Sequence, residues 1–346
     1  MRIVAVMKRT RSVLRVLLLV TGILIQGFAQ LLAAQEAGGG NIMGDIIGGA
    51  ALIFRRPENP KSEAGGGRIT GARPDRTSAA RMQDQLIAKG NAARSASTPR
   101  YSDAESQYRL ATKQDPTDPR GFAGLGNVYL DQNRFQDAVE AYTQALQLKP
   151  DYQLVYMPLG YSLNRLTKHS EAIEIYQQLL KLDANDPEIY NNLGYAYNHS
   201  DMYQESVDAC QRAIELLGVT GKAYKQGLQT REEVLSQAYK NLGNAYNGLK
   251  RYNEAADALK ESTIIEPNSA AAHFILGLAL YNGGRFSEAI EAYKQVLKLR
   301  PGLAQAHYNL GLAYLSTNNK ALALEEYNAL KDLNPELANQ LRAAIK

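Results

Sequence analysis

The sequence predicts an all-α solenoid of about seven stacked helical hairpins, and three observations carry that expectation. The phrase Asn241-Leu242-Gly243-Asn244-Ala245-Tyr246 returns as Asn192-Leu193-Gly194-Tyr195-Ala196-Tyr197 and Asn309-Leu310-Gly311-Leu312-Ala313-Tyr314, and more loosely at Gly124 to Tyr129. Its glycines, Gly126, Gly160, Gly194, Gly243, Gly277 and Gly311, stand 34, 34, 49, 34 and 34 residues apart. A fixed period of this size marks architectures whose single unit is too small to bury its own apolar face. Pro150, Pro267, Pro301 and Pro335 then recur at one phase, where a residue that cannot continue a helix forces a turn.

At the N-terminus, residues 1–15 carry Arg2, Lys8, Arg9, Arg11 and Arg15 without an acid, and 16–25 are apolar apart from Thr21 and Gly22. With small residues at Gly27, Ala29, Ala33 and Ala34, this is the pattern of a secretory signal over 1–34, cleaved after Ala29 or Ala34. The expected location is therefore a bacterial periplasm or the exterior. Residues 13–34 are also long enough to cross a bilayer if Gln26 and Gln30 are tolerated, so an uncleaved anchor in the inner membrane is the alternative, and only then is the membrane a partner. Residues 35–84, punctuated by Gly38 to Gly40, Gly65 to Gly67, Pro57, Pro60 and Pro74, read as a flexible linker. Its apolar stretch 42–54 is too short for a span. It reads as a weakly ordered tail, with docking on the protein's own groove as the sharper alternative.

Charge supports the division. Residues 1–84 hold twelve basic and six acidic residues, which leaves 27 against 29 for the rest, so the array is not a basic nucleic-acid surface. Cys210 is the one cysteine, which excludes an intrachain disulfide and a Cys-cluster metal site.

Taking the recurrent glycine as position eight, units start at Pro119, Gln153, Pro187, Ser236, Ala270 and Ala304. In the first helix Phe122, Leu125, Gly126 and Tyr129 follow i, i+3, i+4, i+7, as do Tyr239, Leu242, Gly243 and Tyr246, so each set shares one face. In the second, Ala138, Tyr142 and Ala145 do the same. Gly at position eight and Ala at position twenty (Ala138, Ala172, Ala255, Ala289, Ala323) remove bulk where two helix axes approach.

With its 34-residue period and its Leu-Gly, Tyr, Ala and Pro positions, the chain resembles the tetratricopeptide repeat (TPR) family over residues 85–337. The family's tryptophan position is filled by Phe122, Tyr156, Tyr190, Tyr239, His273 and His307. An earlier unit matches through Tyr101, Ala104, Tyr108, Ala111 and Pro116, although Gly90 lies two residues too far from Tyr101. The resemblance implies a right-handed superhelix whose first helices line a concave groove. Residues 336–345 look like a capping helix, so 338–346 ends the chain in a cap. The 49-residue interval contains 15 extra residues, placed near 217–230 as a glycine-punctuated insertion or a lengthened second helix.

By the same resemblance, inward positions carry peptide-binding candidates: Asn127, Tyr161, Asn164, Tyr195, Asn198, Lys240, Asn244, Asn247, Phe274, Tyr281 and Tyr308. Asparagine offers a donor and an acceptor to a peptide backbone, and tyrosine offers contact area at low entropy cost. The family's Lys/Asn clamp for a terminal carboxylate matches only at Lys240 and Asn244, since Ile275, Gln305 and Asn309 fill the later positions. Asn192, Asn241 and Asn309 look instead like the asparagine ladder in the repeat region of O-linked N-acetylglucosamine transferase.

No phosphate loop, nucleophile elbow or paired-acid motif is present, so neither an enzyme nor a cofactor site is expected. His273 and His307 stand 34 apart, but each replaces a core aromatic and no carboxylate or Cys joins them at ligand spacing, so no metal is expected. Cys210 occupies a large residue's position and reads as a buried, inert thiol. The expected protein is an exported, non-enzymatic adaptor or scaffold for an extended protein segment, with no nucleic-acid partner. The alternative is a membrane-anchored envelope assembly factor that acts through a homo-oligomer.

Overall fold

In a computed structural model the protein is described over residues 78–219 and 230–346, and every described element is helical. The expected leader at 1–34, the stretch 42–54 and the centre of the insertion lie outside the described residues. Seven hairpins follow in order: α1 Ser78–Arg94 with α2 Tyr101–Gln114, α3 Pro119–Asp131 with α4 Phe135–Leu148, α5 Tyr156–Arg165 with α6 His169–Leu182, α7 Pro187–Asn198 with α8 Tyr203–Val219, α9 Arg231–Gly248 with α10 Tyr252–Ile265, α11 Ala270–Asn282 with α12 Phe286–Leu299, and α13 Ala304–Ser316 with α14 Lys320–Leu333. A single helix, α15 Pro335–Ile345, closes the array.

The first helix begins at Ser78, so the last seven residues assigned to the linker are helical. Polar contacts hold this early turn: Gln83 Nε2 donates to Asp118 Oδ2 at 3.0 Å, and Arg120 pairs with Asp84 at 2.9 Å. Hydrophobic periodicity, which starts at Leu86, carries no trace of them.

Helix starts follow side-chain chemistry. Asp118, Asp186 and Asn334 each precede a proline at the first helical position and accept from backbone N–H groups of the first turn. Thr230 and Glu233 form a reciprocal capping box ahead of α9, at 3.1 and 2.8 Å.

Within the units, the turn between the two helices places position fifteen in the left-handed region: Asn133, Thr167, Asp201, Lys250 and Asn318 have φ between 56° and 61°, and Gly284 has 76°. For a β-branched residue this conformation is strained, by roughly 1–2 kcal/mol. Thr167→Gly is therefore expected to stabilise the protein by about 1 kcal/mol once the larger unfolded-state entropy of glycine is subtracted. A urea melt checks it, and an unmoved midpoint would show that the strain is relieved elsewhere.

Position eight lies against the residue at position twenty-four of its partner helix. A Cβ on Gly126 would stand 2.5 Å from the Tyr142 ring, one on Gly160 2.5 Å from Tyr176, and one on Gly277 2.6 Å from Tyr293, so each tyrosine occupies the space its glycine vacates. The alanines at position twenty are completely buried beside this contact. Unit four keeps the contact with smaller groups: Cys210 Sγ fills the recess of Gly194, and Ser206 Oγ donates to Gly194 O at 2.8 Å. In unit seven the recess of Gly311 is filled from the cap, by Leu341 of α15. First helices of neighbouring units also touch each other, whereas second helices meet at most marginally. The array thus curves with its first helices inside, as a right-handed superhelical solenoid.

The insertion is largely helical at its ends. Ten residues, 220–229, lie outside the described residues, while α8 runs three residues beyond the usual end at position thirty and α9 begins five before Ser236. Arg231 Nε donates to Leu217 O at 3.0 Å and ties the two extensions together at their base.

Candidate functional site

The inner face of α5, α7 and α9 carries three asparagines at position twelve, Asn164, Asn198 and Asn247, and a polar network joins the second and third of these helices. Asn198 Nδ2 donates to Asn241 O at 2.8 Å, Asn241 Nδ2 to Asn191 Oδ1 at 3.0 Å, and Asn191 Nδ2 to Gln237 Oε1 at 3.3 Å. These bonds draw units four and five together across the insertion. Because Asn198 faces a carbonyl with its amide nitrogen, its Oδ1 is oriented away, buried and without a partner among the described residues. Asn247 Oδ1 is in the same condition. A buried, unbonded acceptor costs roughly 1–3 kcal/mol.

Lys240 is buried as well. Its place on the inner face suggested an accessible ammonium, but only 8% of the residue is exposed. Burial lowers its pKa, and Glu266 partly opposes that shift. It makes no hydrogen bond or ion pair among the described residues.

Other candidates divide by exposure. Tyr161, Asn164 and Tyr308 are buried at 4–8% exposure and offer a ligand little surface. Asn127, Tyr195, Asn198, Asn244, Asn247, Phe274 and Tyr281 are half-exposed. The Tyr142 hydroxyl donates to Asn127 Oδ1 at 2.8 Å, which fixes the amide and leaves its Nδ2 donors and one lone pair of Oδ1. Asn164 Oδ1 lies 3.1 Å from His169 Nδ1.

One contact along the groove edge escaped the sequence reading. The ring that opens a second helix lies over the inner face of the next unit: Phe135 meets Arg165 at 4.5 Å and Tyr161 at 6.3 Å, and His169 stacks on His199 at 4.8 Å and meets Tyr195 at 6.0 Å. Further along, Tyr203 lies against Gly248. The recurring ring at position seventeen was a readable signal, but its partner in the next unit was not. Burial lowers the His169 pKa; for His199, desolvation under the stacked ring and then the charge of that neighbour lower the pKa as well, although the residue keeps an exposed edge.

The two histidines spaced 34 residues apart are turn pins. Four residues at position four reach the carbonyl six residues upstream: Tyr156 to Pro150 O at 2.6 Å, Tyr190 to Ala184 O at 3.2 Å, His273 to Pro267 O at 3.0 Å and His307 to Pro301 O at 2.9 Å. A carbonyl only accepts, so Nε2 carries the proton in both histidines. Nδ1 of His307 faces the Glu326 carboxylate at 2.6 Å, so the protonated ring forms an ion pair with it. The hydrogen bond to Glu326, against burial, raises its pKa. A raised folded pKa stabilises fully below the unfolded value, near 6.5, and the contribution is lost as pH rises through the folded value. Urea midpoints should therefore fall as pH rises from about 6.5 through the raised folded value, and His307→Gln should flatten that slope. An identical slope in the variant would assign the dependence to another group.

Among the described residues, no group of three or more His, Cys, Asp or Glu could hold a metal ion, and no helix is long and apolar enough to cross a membrane. Cys210 is completely buried, and desolvation pushes its thiol up to about 12, which removes it as a nucleophile.

Family models described as tetratricopeptide repeat match residues 87–153, 123–187, 175–208, 236–269 and 304–337, and one described as TPR repeat matches 277–318. Among solved structures, a tetratricopeptide repeat protein from Parabacteroides merdae is similar over 77% of this chain and 99% of its own, at 17% identity and a TM-score of 0.54. Pseudomonas aeruginosa pilF is similar over 66% of this chain and 98% of its own, at 18% identity and a TM-score of 0.52. YrrB, described as a TPR protein with an unusual peptide-binding site, is similar over 60% of this chain and 100% of its own, at 25% identity and a TM-score of 0.47. None of the curated proteins matches the chain.

Proposed function

This chain belongs to the tetratricopeptide repeat family, and from that premise we propose that it is an exported, non-enzymatic adaptor that holds an extended segment of a partner protein in its concave groove. The observation that carries this reading is the pair Asn198 and Asn247, half-exposed at one phase of successive inner helices. An extended backbone presents N–H and C=O groups at regular intervals, which half-exposed side-chain amides can meet without a particular sequence. The half-exposed Tyr195 and Asn244 between them add contact area and a further donor and acceptor.

Export rests on residues 1–34, with their basic start and apolar core. The same residues, left uncleaved, would tether the array to a membrane as an assembly scaffold. Intact mass of the protein from fractionated cells separates the two: loss of about thirty residues in a soluble envelope fraction fits the exported adaptor, and full length in the membrane fraction fits the tether.

Groove binding is tested by placing a photo-crosslinking amino acid at Asn244, inside the curve, and at Glu261, on an outer helix. Adducts with a partner polypeptide from Asn244 alone are expected. Adducts from Glu261 alone would move the binding surface to the convex side.

A further inference from the structure

Along position thirteen, the column beside the inward asparagines, units two to four place Asp131, Arg165 and His199. Arg165 is half-buried at the end of α5 and is held from two sides. Its guanidinium carbon lies 4.5 Å from the centre of the Phe135 ring, and its Nη1 donates to the Tyr161 hydroxyl at 3.0 Å. A guanidinium fixed in this way is already ordered before a ligand arrives, so binding costs it less entropy. Its charge also reaches Tyr195 of the next unit, whose pKa burial raises and Arg165 partly lowers.

What Arg165 lacks, among the described residues, is a carboxylate. Two other arginines lie over rings in the same way, Arg134 over Tyr129 at 4.3 Å and Arg251 over Tyr246 at 4.5 Å. Each of those is also paired with an acid, Asp137 and Glu254 respectively. Only Nη1 of Arg165 is engaged in a hydrogen bond among the described residues, so Nε and Nη2 keep their donors. The acids closest in the column and downstream in sequence are committed elsewhere: both oxygens of Asp131 accept from Arg94, and Glu171 faces Lys168 at 3.6 Å. A half-buried fork that is held in place and has no anion is complementary to a carboxylate.

We infer that Arg165 is a subsite for an acidic side chain, Asp or Glu, of the segment held in the groove. This rests on the groove reading and names one point of its ligand's chemistry. The inner face continues on both sides of Arg165, through half-exposed Asn127 in unit two and Asn198 in unit four, so an extended segment passes the guanidinium instead of ending on it. The carboxylate is therefore that of a side chain and not of a chain terminus. Neighbouring helices pack roughly 8–10 Å apart and an extended chain advances about 3.3 Å per residue, so the acid stands about three residues from the part of the segment over Asn198.

Random peptides of about twelve residues, long enough to cross about four units, are selected against the full chain and against Arg165→Gln. They are joined to phage by their C-termini, so that no free terminal carboxylate is offered. Circular dichroism confirms that the variant keeps its helix content, and Arg165→Met, which keeps a stem against Phe135, replaces it if not. The full chain should enrich peptides with Asp or Glu at one fixed position, and the variant should select peptides without that preference. For an enriched peptide, Arg165→Gln and a change of its Glu to Gln, or Asp to Asn, should each weaken binding about tenfold or more. The two changes together should cost little more than either alone, as for groups in direct contact. Amidation of the synthetic peptide's C-terminus should leave its affinity unchanged. No acidic preference, a preference that survives Arg165→Gln, or losses that simply add overturn the inference while groove binding stands. A loss on amidation that Arg165→Gln removes gives the site to a chain terminus and overturns it as well. If no peptide is enriched, the groove reading falls and the inference falls with it, which is a distinct result.

Discussion

Gly243→Leu is expected to destabilise the protein by about 3 kcal/mol, the upper part of the usual range for overpacking a core. A Cβ at this position would already stand 2.9 Å from both Leu259 Cδ atoms and closer still to Cγ. Leu259 is completely buried, so it cannot swing into solvent. The added side chain must force α9 and α10 apart, and α9 is also the helix that carries Lys240, Asn241 and Asn244. Truncating the obstacle should restore part of the loss, so that Gly243→Leu with Leu259→Ala costs less than the sum of the single changes. Solenoid stability is a sum of unit and interface terms, so urea melts should be read together with hydrogen exchange along the units. Loss of protection centred on α9 and α10 is expected. A variant that melts like the parent would mean that the glycine contact is not the constraint that the geometry makes it.

Period, breaks and cap were legible because they are properties of one unit. Gly243, Ala255 and Pro267 each report a steric requirement inside a single hairpin, and a pattern repeated at 34 residues repeats that requirement. The interfaces between units were less legible. Glycine at position eight was read against alanine at position twenty, yet the group filling its recess is the residue at position twenty-four, such as Tyr142 or Leu259. In unit seven it comes from another element altogether, through Leu341. The early start of α1 depends on Gln83 and Asp84 reaching Asp118 and Arg120 across a unit boundary. Lys240 shows the same limit at the candidate site: its phase placed it on the inner face, and packing between helices leaves only 8% of it exposed. Hydrophobic periodicity says which way a side chain points and not how closely the next unit approaches.

The first junction of the array rests on a contact of another kind, and Arg94→Leu is expected to loosen it by about 3 kcal/mol, the low end of the cost of removing one partner from a buried pair. Arg94 Nε and Nη2 donate to Asp131 Oδ2 and Oδ1 at 2.7 and 3.0 Å, a two-point grip between the end of α1 and the end of α3. The two side chains are only 18% and 14% exposed, so solvent cannot replace the lost partner as it would on an open surface. Burial alone lowers the Arg94 pKa, but the hydrogen bond to Asp131 and its charge outweigh that effect and raise it, so the guanidinium stays charged. Without it, the Asp131 carboxylate is left near the buried rings of Tyr108 and Tyr142, where hydration is incomplete. The double change Arg94→Leu with Asp131→Leu should recover most of the loss, because replacing both charges with hydrocarbon removes the desolvation penalty together with the attraction. Hydrogen exchange over α1 and α2 reads the outcome: protection lost in the single variant and regained in the double assigns the junction to this pair. Protection lost equally in both would assign it to the polar contacts of Gln83 and Asp84 instead.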